Sequence, residues 1–287
     1  LFTVALEHFK TDTADYADFI LPATTQLEHW DIHTSYGHTD VLLNRPAIAP
    51  VGGARTNTDI FRALAQRMGF DDPCFAESDE SLCRCAIGDA DDFEQLLAHG
   101  FASLPVPDAP FAQGGFPSPS GKCEFFSQRL ADQGLDGLPD HLPNYELAAP
   151  GGRYPLAMIS PPARNFLNSS FVNVQSLRDI EAEPVLEMHP QDAATRGIAD
   201  GAVVRVFNDR GTYHCKAKLN QRAREGVVHG LGIWWRKLGL NGTNVNELTS
   251  QHLTDLGRAP VFYDCLVEVA ADAAFEPAAH SVATAHT

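Results

Sequence analysis

The sequence predicts two parts, an α/β segment followed by a compact β-barrel, and three observations lead there. Helical periodicity is clear only before residue 100, whereas period-two alternation and tight-turn residues dominate after residue 152. Between these regions, Ala148-Ala-Pro-Gly-Gly152 has the composition of a linker. Hydrophobic residues make up 44% of the chain, enough for a real core, and 22 glycines with 19 prolines in short clusters fit a loop-rich enzyme.

Taken in order, Leu1 to Phe9 is a short apolar run that reads as a buried strand begun in its middle, which suggests a fragment. Asn57-Thr-Asp-Ile-Phe-Arg-Ala-Leu-Ala-Gln-Arg-Met-Gly69 predicts a helix capped by Asn57 or Thr58. Ile60, Phe61, Leu64, Ala65 and Met68 form its apolar face, and Gly69 supplies a left-handed stop. A second helix should run from an Asp89 cap through Phe93, Leu96 and Leu97 to Gly100, and the proline-rich stretch Leu104 to Ser120 should be irregular. After the linker, Tyr154 to Ser160 reads as a strand stopped by Pro161-Pro162. His189 to Gly197 reads as a short helix with proline first and glycine just past its end. Ala202 to Phe207 and Thr212 to Leu219 predict a hairpin across Asn208-Asp-Arg-Gly211, with Tyr213, Cys215, Ala217 and Leu219 on one face. Val227 to Leu231 and Cys265 to Val269 are further strands, and the alanine-rich tail over residues 271–287 is expected to be flexible.

The formal charge of -16 repels nucleic-acid backbones and anionic membranes, so neither is expected as a partner. No apolar run reaches the roughly 18 residues that a membrane span needs. Six cysteines without a C-x-x-C pair read as reduced thiols, with the cytoplasm the expected compartment and the periplasm the alternative. Cys74, Cys83 and Cys85 fit no common metal spacing. His29-Trp-Asp-Ile-His33 has tryptophan where a zincin needs glutamate, so His29, His33 and His38 read as loop residues.

Two segments suit a large polar ligand. Ser160-Pro-Pro-Ala-Arg-Asn-Phe-Leu-Asn-Ser-Ser170 leaves a strand with an arginine, two asparagines and paired hydroxyls. Ile233-Trp-Trp-Arg-Lys-Leu-Gly-Leu-Asn-Gly-Thr-Asn-Val-Asn-Glu-Leu-Thr249 joins two aromatics to asparagine amides, whose donors and acceptors can read a heterocycle's edge. Arg153, Arg164, Arg178, Arg236 and Lys237 offer a local positive pocket for phosphates, although the same residues are equally ordinary turn formers and solvated bases.

Several motifs resemble the molybdopterin oxidoreductase family, of the dimethyl sulfoxide reductase and formate dehydrogenase type. They are Phe9-Lys-Thr-Asp-Thr-Ala-Asp-Tyr-Ala-Asp-Phe-Ile-Leu-Pro-Ala23, Ala47 to Asn57, Phe116-Pro-Ser-Pro-Ser-Gly-Lys-Cys-Glu-Phe-Phe-Ser127, His189 to Gly201, and Asn244-Val-Asn-Glu-Leu-Thr249 with Tyr263 downstream. The resemblance implies that residues 1–150 are the end of the α/β and α+β catalytic-core domains, and that residues 151–270 form a six-stranded double-psi β-barrel. It implies a molybdopterin guanine dinucleotide cofactor with molybdenum or tungsten, serving oxygen-atom or hydride and electron transfer. Ser160, Arg164, Asn168 and Ser169 would lie in the first cofactor loop, and Trp234 or Trp235 with Asn246 at a pterin. Thr13 and Glu28 would approach the other dinucleotide. No counterpart of the metal-ligand segment or iron–sulfur cysteines is present, so this stretch alone is expected to hold no metal and to have no activity. Its expected partners are the remaining N-terminal domains and an electron-transfer protein of unstated kind. After Glu28-His29 the chain reads Trp30-Asp31 where the formate dehydrogenase group has glutamate and glycine, so formate is not assigned. The alternatives are a non-catalytic relative serving as a structural subunit of an electron-transport complex, and a free-standing barrel that binds a protein.

Overall fold

The computed structural model describes residues 1–138, 140–147 and 152–275, so most of the 148–152 linker and of the 271–287 tail lies outside the described residues. Two compact units divide between residues 139 and 140.

In the first unit, β1 (Val4–Glu7) pairs in parallel with β2 (Phe19–Pro22), while β3 (Asp31–Thr34), β4 (Asp40–Asn44) and β5 (Phe101–Ser103) make an antiparallel sheet. The first strand is not buried as expected: Val4 is exposed, because the strand belongs to a two-stranded sheet with little covering either face. Helix α1 (Asn57–Met68) forms as predicted and stops at Gly69 with φ 77°, but its cap is Thr56, whose Oγ1 accepts the Asp59 N–H at 3.1 Å. Its apolar face is largely uncovered, with Phe61, Leu64 and Met68 exposed and only Ala65 buried. Helix α2 (Asp79–Ile87) was not read from the sequence. Its Ser78 cap opens on charged residues, and one turn suffices to bury Cys83 beside Phe93 and Leu96 of α3 (Ala90–His99). Asp89 caps α3 as predicted, accepting from the Asp91 and Asp92 N–H groups. The short helix α4 (Gln128–Ala131) ends the unit's regular structure. His33 lies in β3 rather than a loop, and His29 Nδ1 is bonded to Thr24 Oγ1 at 2.9 Å. Among the described residues no three histidines, cysteines or carboxylates group as a metal site.

The second unit is a closed barrel. Its strands are β6 (Leu156–Ile159), β7 (Val185–Met188), β8 (Val203–Phe207), β9 (Thr212–Leu219), β10 (Val227–Leu231) and β11 (Cys265–Ala271). They close in the order β10-β6-β11-β8-β9-β7. The pairs β6–β10 and β7–β9 are parallel and the other four antiparallel. Helix α5 (Gln175–Glu181) precedes β7, and α6 (Pro190–Ala194) follows it with proline leading and Gly197 at φ 64°. The first barrel strand starts two residues later than expected, because Tyr154 turns aside to donate its hydroxyl to Asp209 at 2.7 Å.

Alternation closes the core. Leu156, Met158, Leu186, Met188, Val204, Val206, Val228 and Val267 are at most 1% exposed, and each such side chain contributes roughly 1.5–3 kcal/mol on burial. Tyr213, Cys215 and Ala217 point inward from β9 as its pattern predicts. All six cysteines are free thiols. Burial pushes Cys215 up to about 12 and Cys265 up to about 11, so both remain protonated and unreactive at neutral pH. No helix among the described residues is long and apolar enough to cross a membrane.

Candidate functional site

Two loops at the ends of β6 and β10 carry most of the polar side chains singled out above. The first begins at Ser160, which is buried, and Pro161 O accepts the Gly232 N–H at 2.9 Å to tie it to the β10 exit. Ala163, Phe166 and Val172 turn inward, while Arg164, Asn168 and Ser169 face outward. Asn168 sits at φ 52° and Phe171 at φ 71°, and the Leu167 and Ser170 backbones exchange hydrogen bonds around the bend. Asparagine tolerates the left-handed region, but phenylalanine does so at a cost of order 1–3 kcal/mol, so packing has to enforce this conformation. Enforcement comes from buried Val172 and from Glu181 Oε1, which accepts Asn165 N–H at 2.8 Å and Asn165 Nδ2–H at 2.7 Å.

A tryptophan pair joins this loop to the second. The Trp234 ring is 5% exposed and meets Phe166 edge to face, centroids 5.2 Å apart. Trp234 is therefore turned into the protein and supports the first loop, leaving Trp235 as the aromatic with a partly open face. Trp235 donates its Nε1–H to Ser169 O at 2.8 Å, and Lys237 Nζ lies 5.5 Å from its ring centroid. Beyond them, Asn244 donates its Nδ2–H to Trp234 O at 2.8 Å, and its Oδ1 accepts the Asn246 N–H at 3.0 Å. Asn246 is exposed between two buried anchors, Val245 and Leu248. It lines a groove of about 670 Å³ with Arg210, Glu247, Thr249, Ser250, Gln251 and His252.

Three of the five bases are engaged by local partners. Arg153 pairs with Asp209, Arg178 donates to Val172 O, and Arg236 faces Glu247 at 3.3 Å. Arg164 is exposed and has no carboxylate partner among the described residues. Local carboxylates thus engage two of the five bases, Arg153 and Arg236.

Two expected residues belong to the other unit. Thr13 is exposed and precedes a short 3₁₀ turn at Ala14–Tyr16 without capping it. Glu28 is 6% exposed, with both carboxylate oxygens engaged: Oε2 accepts Thr25 N–H and Thr25 Oγ1–H at 2.7 and 2.8 Å, and Oε1 accepts Val51 N–H at 2.6 Å. The Thr25 N–H foremost, then the Val51 N–H and the Thr25 hydroxyl, hold this carboxyl below its ordinary 4.5 against the opposing effect of burial. A depressed folded pKa means that the stabilisation is present above the ordinary value and is lost as pH falls through the folded one. Amide exchange at Thr25 and Val51, taken relative to the intrinsic rate at each pH, should therefore rise in the native chain once the pH falls below the ordinary carboxylate range. In Glu28→Gln it should be raised at neutral pH and insensitive to that acidification. A flat acid profile in the native chain would show that Glu28 does not hold this turn.

Sequence reasoning passed over Arg210, Glu146 and Asn208, although the Asn208-Asp-Arg-Gly211 turn was recognised. Their signal was absent because a turn motif says nothing about which distant carbonyl its side chains reach.

Residues 156–266 match the family description "Molydopterin dinucleotide binding domain", and residues 1–67 match "Molybdopterin oxidoreductase". The chain is 36% identical to the probable oxidoreductase YoaE of Bacillus subtilis, an alignment covering 94% of this chain and 40% of that protein. It is 35% identical to the dimethyl sulfoxide/trimethylamine N-oxide reductase of Rhodobacter capsulatus, over 76% of this chain and 30% of that enzyme. Thus it spans well under half the length of these curated relatives. Among solved structures, acetylene hydratase from Pelobacter acetylenicus shares the fold, with a TM-score of 0.80 at 22% identity over 94% of this chain and 40% of that one.

Proposed function

Since this chain belongs to the molybdopterin oxidoreductase family, we propose that its barrel holds a molybdopterin guanine dinucleotide within an enzyme that reduces an S- or N-oxide. One observation carries the reading: two polar loops, one with Arg164, Asn168 and Ser169 and the other with Asn246, both hang from the pair formed by buried Trp234 and half-buried Trp235. That donor set fits the group. An exposed amide suits a ring edge, and an exposed guanidinium with a neighbouring hydroxyl suits a pyrophosphate. Asn246 would meet the ring edge, Arg164 and Ser169 the phosphates, and Trp235 would flank the site, with Ser160 and Trp234 holding the loops from beneath. When bound, the cofactor supplies a molybdenum or tungsten centre for oxygen-atom or hydride and electron transfer, while the protein binds and orients it. Relatives named for dimethyl sulfoxide and trimethylamine N-oxide support this substrate class. Residues 1–150 would belong to the catalytic-core domains, with Thr13 near a second dinucleotide and Glu28 shaping the turn beside it. The electron donor would be a separate protein, and the compartment the cytoplasm.

In the enzyme carrying this chain, Asn246→Ala and Arg164→Ala should each lower retained dinucleotide by about tenfold, the effect of losing one good hydrogen bond to a tightly held ligand. Acid release of the pterin and its fluorescence measure retention. Native retention in both variants, with folding intact, would defeat the assignment.

A further inference from the structure

We propose that Arg210 is a positioning residue for Asn246: anchored by Glu146, its guanidinium holds the Leu248 carbonyl and so sets where the Asn246 amide stands. The proposal rests on the reading of Asn246 as a cofactor contact and adds the device that fixes it.

The geometry is specific. Arg210 Nη1 and Nη2 donate to the two Glu146 oxygens at 2.5 and 3.1 Å, a two-point pairing that fixes the plane of the guanidinium. Its remaining direction, Nε–H, donates to Leu248 O at 2.6 Å. Asn208 Nδ2 reaches the same oxygen at 2.9 Å and Cys265 Sγ donates to it at 3.2 Å, so three donors from β8–β9 and β11 converge on one carbonyl. That carbonyl lies two residues from Asn246, and Leu248 N–H closes the 3₁₀ turn at Val245–Glu247 by donating to Val245 O at 3.1 Å. Gly211 supplies an independent sign of close fit. A Cβ there would lie 2.8 Å from Glu247 O, so the hairpin turn presses directly on the backbone beside Asn246.

Glu146 is itself fixed. Its Oε2 also accepts the Leu266 N–H at 2.8 Å, and the preceding Tyr145 stacks on His252 with centroids 5.3 Å apart. The titratable and charged groups facing it are Arg210, His252 and Cys265. Although burial opposes ionisation, Arg210 and the Leu266 N–H hold the Glu146 carboxyl below its ordinary value. The clamp is thus charged at neutral pH and released in acid, as the folded-state carboxyl takes up its proton.

The test compares Arg210→Gln, Arg210→Lys, Glu146→Gln and the exposed-pair control Arg153→Gln with the native chain by hydrogen exchange. Arg210→Gln should speed exchange across residues 244–250 by about tenfold or more, as expected for losing hydrogen bonds to a charged group, while β8 and β11 change less than about twofold. Arg210→Lys should fall between, since an ammonium cannot reproduce the two-point pairing and the Nε bond together. Glu146→Gln should loosen the same segment and abolish the acid-dependent loosening expected of the native chain. Arg153→Gln should leave the segment unchanged.

In the intact enzyme, Arg210→Gln should lower retained dinucleotide nearly as far as Asn246→Ala, and the double variant should be no worse than Asn246→Ala alone. Unchanged exchange at 244–250 in both Arg210→Gln and Glu146→Gln would overturn the proposal, as would a double variant whose losses multiply. If Asn246→Ala retains cofactor normally while Arg210→Gln still loosens the segment, the cofactor reading fails, and with it the claim that Arg210 positions a ligand contact.

Discussion

Replacing Trp234 by alanine should destabilise the chain by about 3–5 kcal/mol, the range for emptying a fully packed indole site. Trp234 is 5% exposed, and its neighbours are Ala163, Phe166 and Val172, which belong to the first polar loop or follow directly from it. The cavity would therefore open beneath the segment that holds Asn168 and Phe171 at positive φ. Without the ring, Val172 loses its packing partner and only the Glu181–Asn165 hydrogen bonds still hold the loop, which should relax part of the way toward ordinary conformations. Denaturant unfolding gives the stability loss, and exchange at residues 164–171 gives the loosening. Trp234→Phe, which keeps an aromatic edge against Phe166, should recover much of both. A loss below about 1 kcal/mol in the alanine variant would mean that the site collapses readily and that the loop does not depend on the indole.

Leu248→Ala should cost about 2–5 kcal/mol, because its side chain is 0% exposed in the barrel core. The contrast with its neighbour is the informative part. Asn246→Ala removes an exposed side chain two positions away and should move stability by no more than about 0.5 kcal/mol. The turn thus divides its labour, with Val245 and Leu248 serving the core and Asn246 facing the groove. Thermal unfolding of both variants checks this directly. A large stability loss in Asn246→Ala would assign that amide to the fold rather than to a ligand.

Where a local pattern suffices, the reading from sequence and the structure agree. The Asp89 cap, the Gly69 stop, the short helix opened by Pro190 and the β8–β9 hairpin all depend on residues within a few positions of one another. The inward set of β9 follows from alternation alone, because successive side chains on a strand must point to opposite faces. Strand β7 was not read, since Val185 to Met188 is too short to show a period of its own. Helix α2 was likewise passed over, because its charged first turn hides a single buried face around Cys83.

The candidate site divides along the same line. Arg164, Asn168, Ser169 and Asn246 were legible as polar residues in loops after strands, which is a local property. Which of two adjacent tryptophans turns inward was not legible, because it depends on Phe166 and Val172 arriving from elsewhere in the chain. Nor was the fate of the bases: Arg153, Arg178 and Arg236 are engaged by groups whose proximity only folding creates or aligns. The Glu146–Arg210–Leu248 linkage spans about a hundred residues of sequence and leaves no periodic trace. The sequence by itself determined the element types, the cap and turn chemistry and the polar character of the two loops, since each is set by neighbours along the chain. Only the tertiary structure decided which polar groups remain open to a ligand and which are held by partners, because closing the barrel brings together residues that the chain keeps far apart.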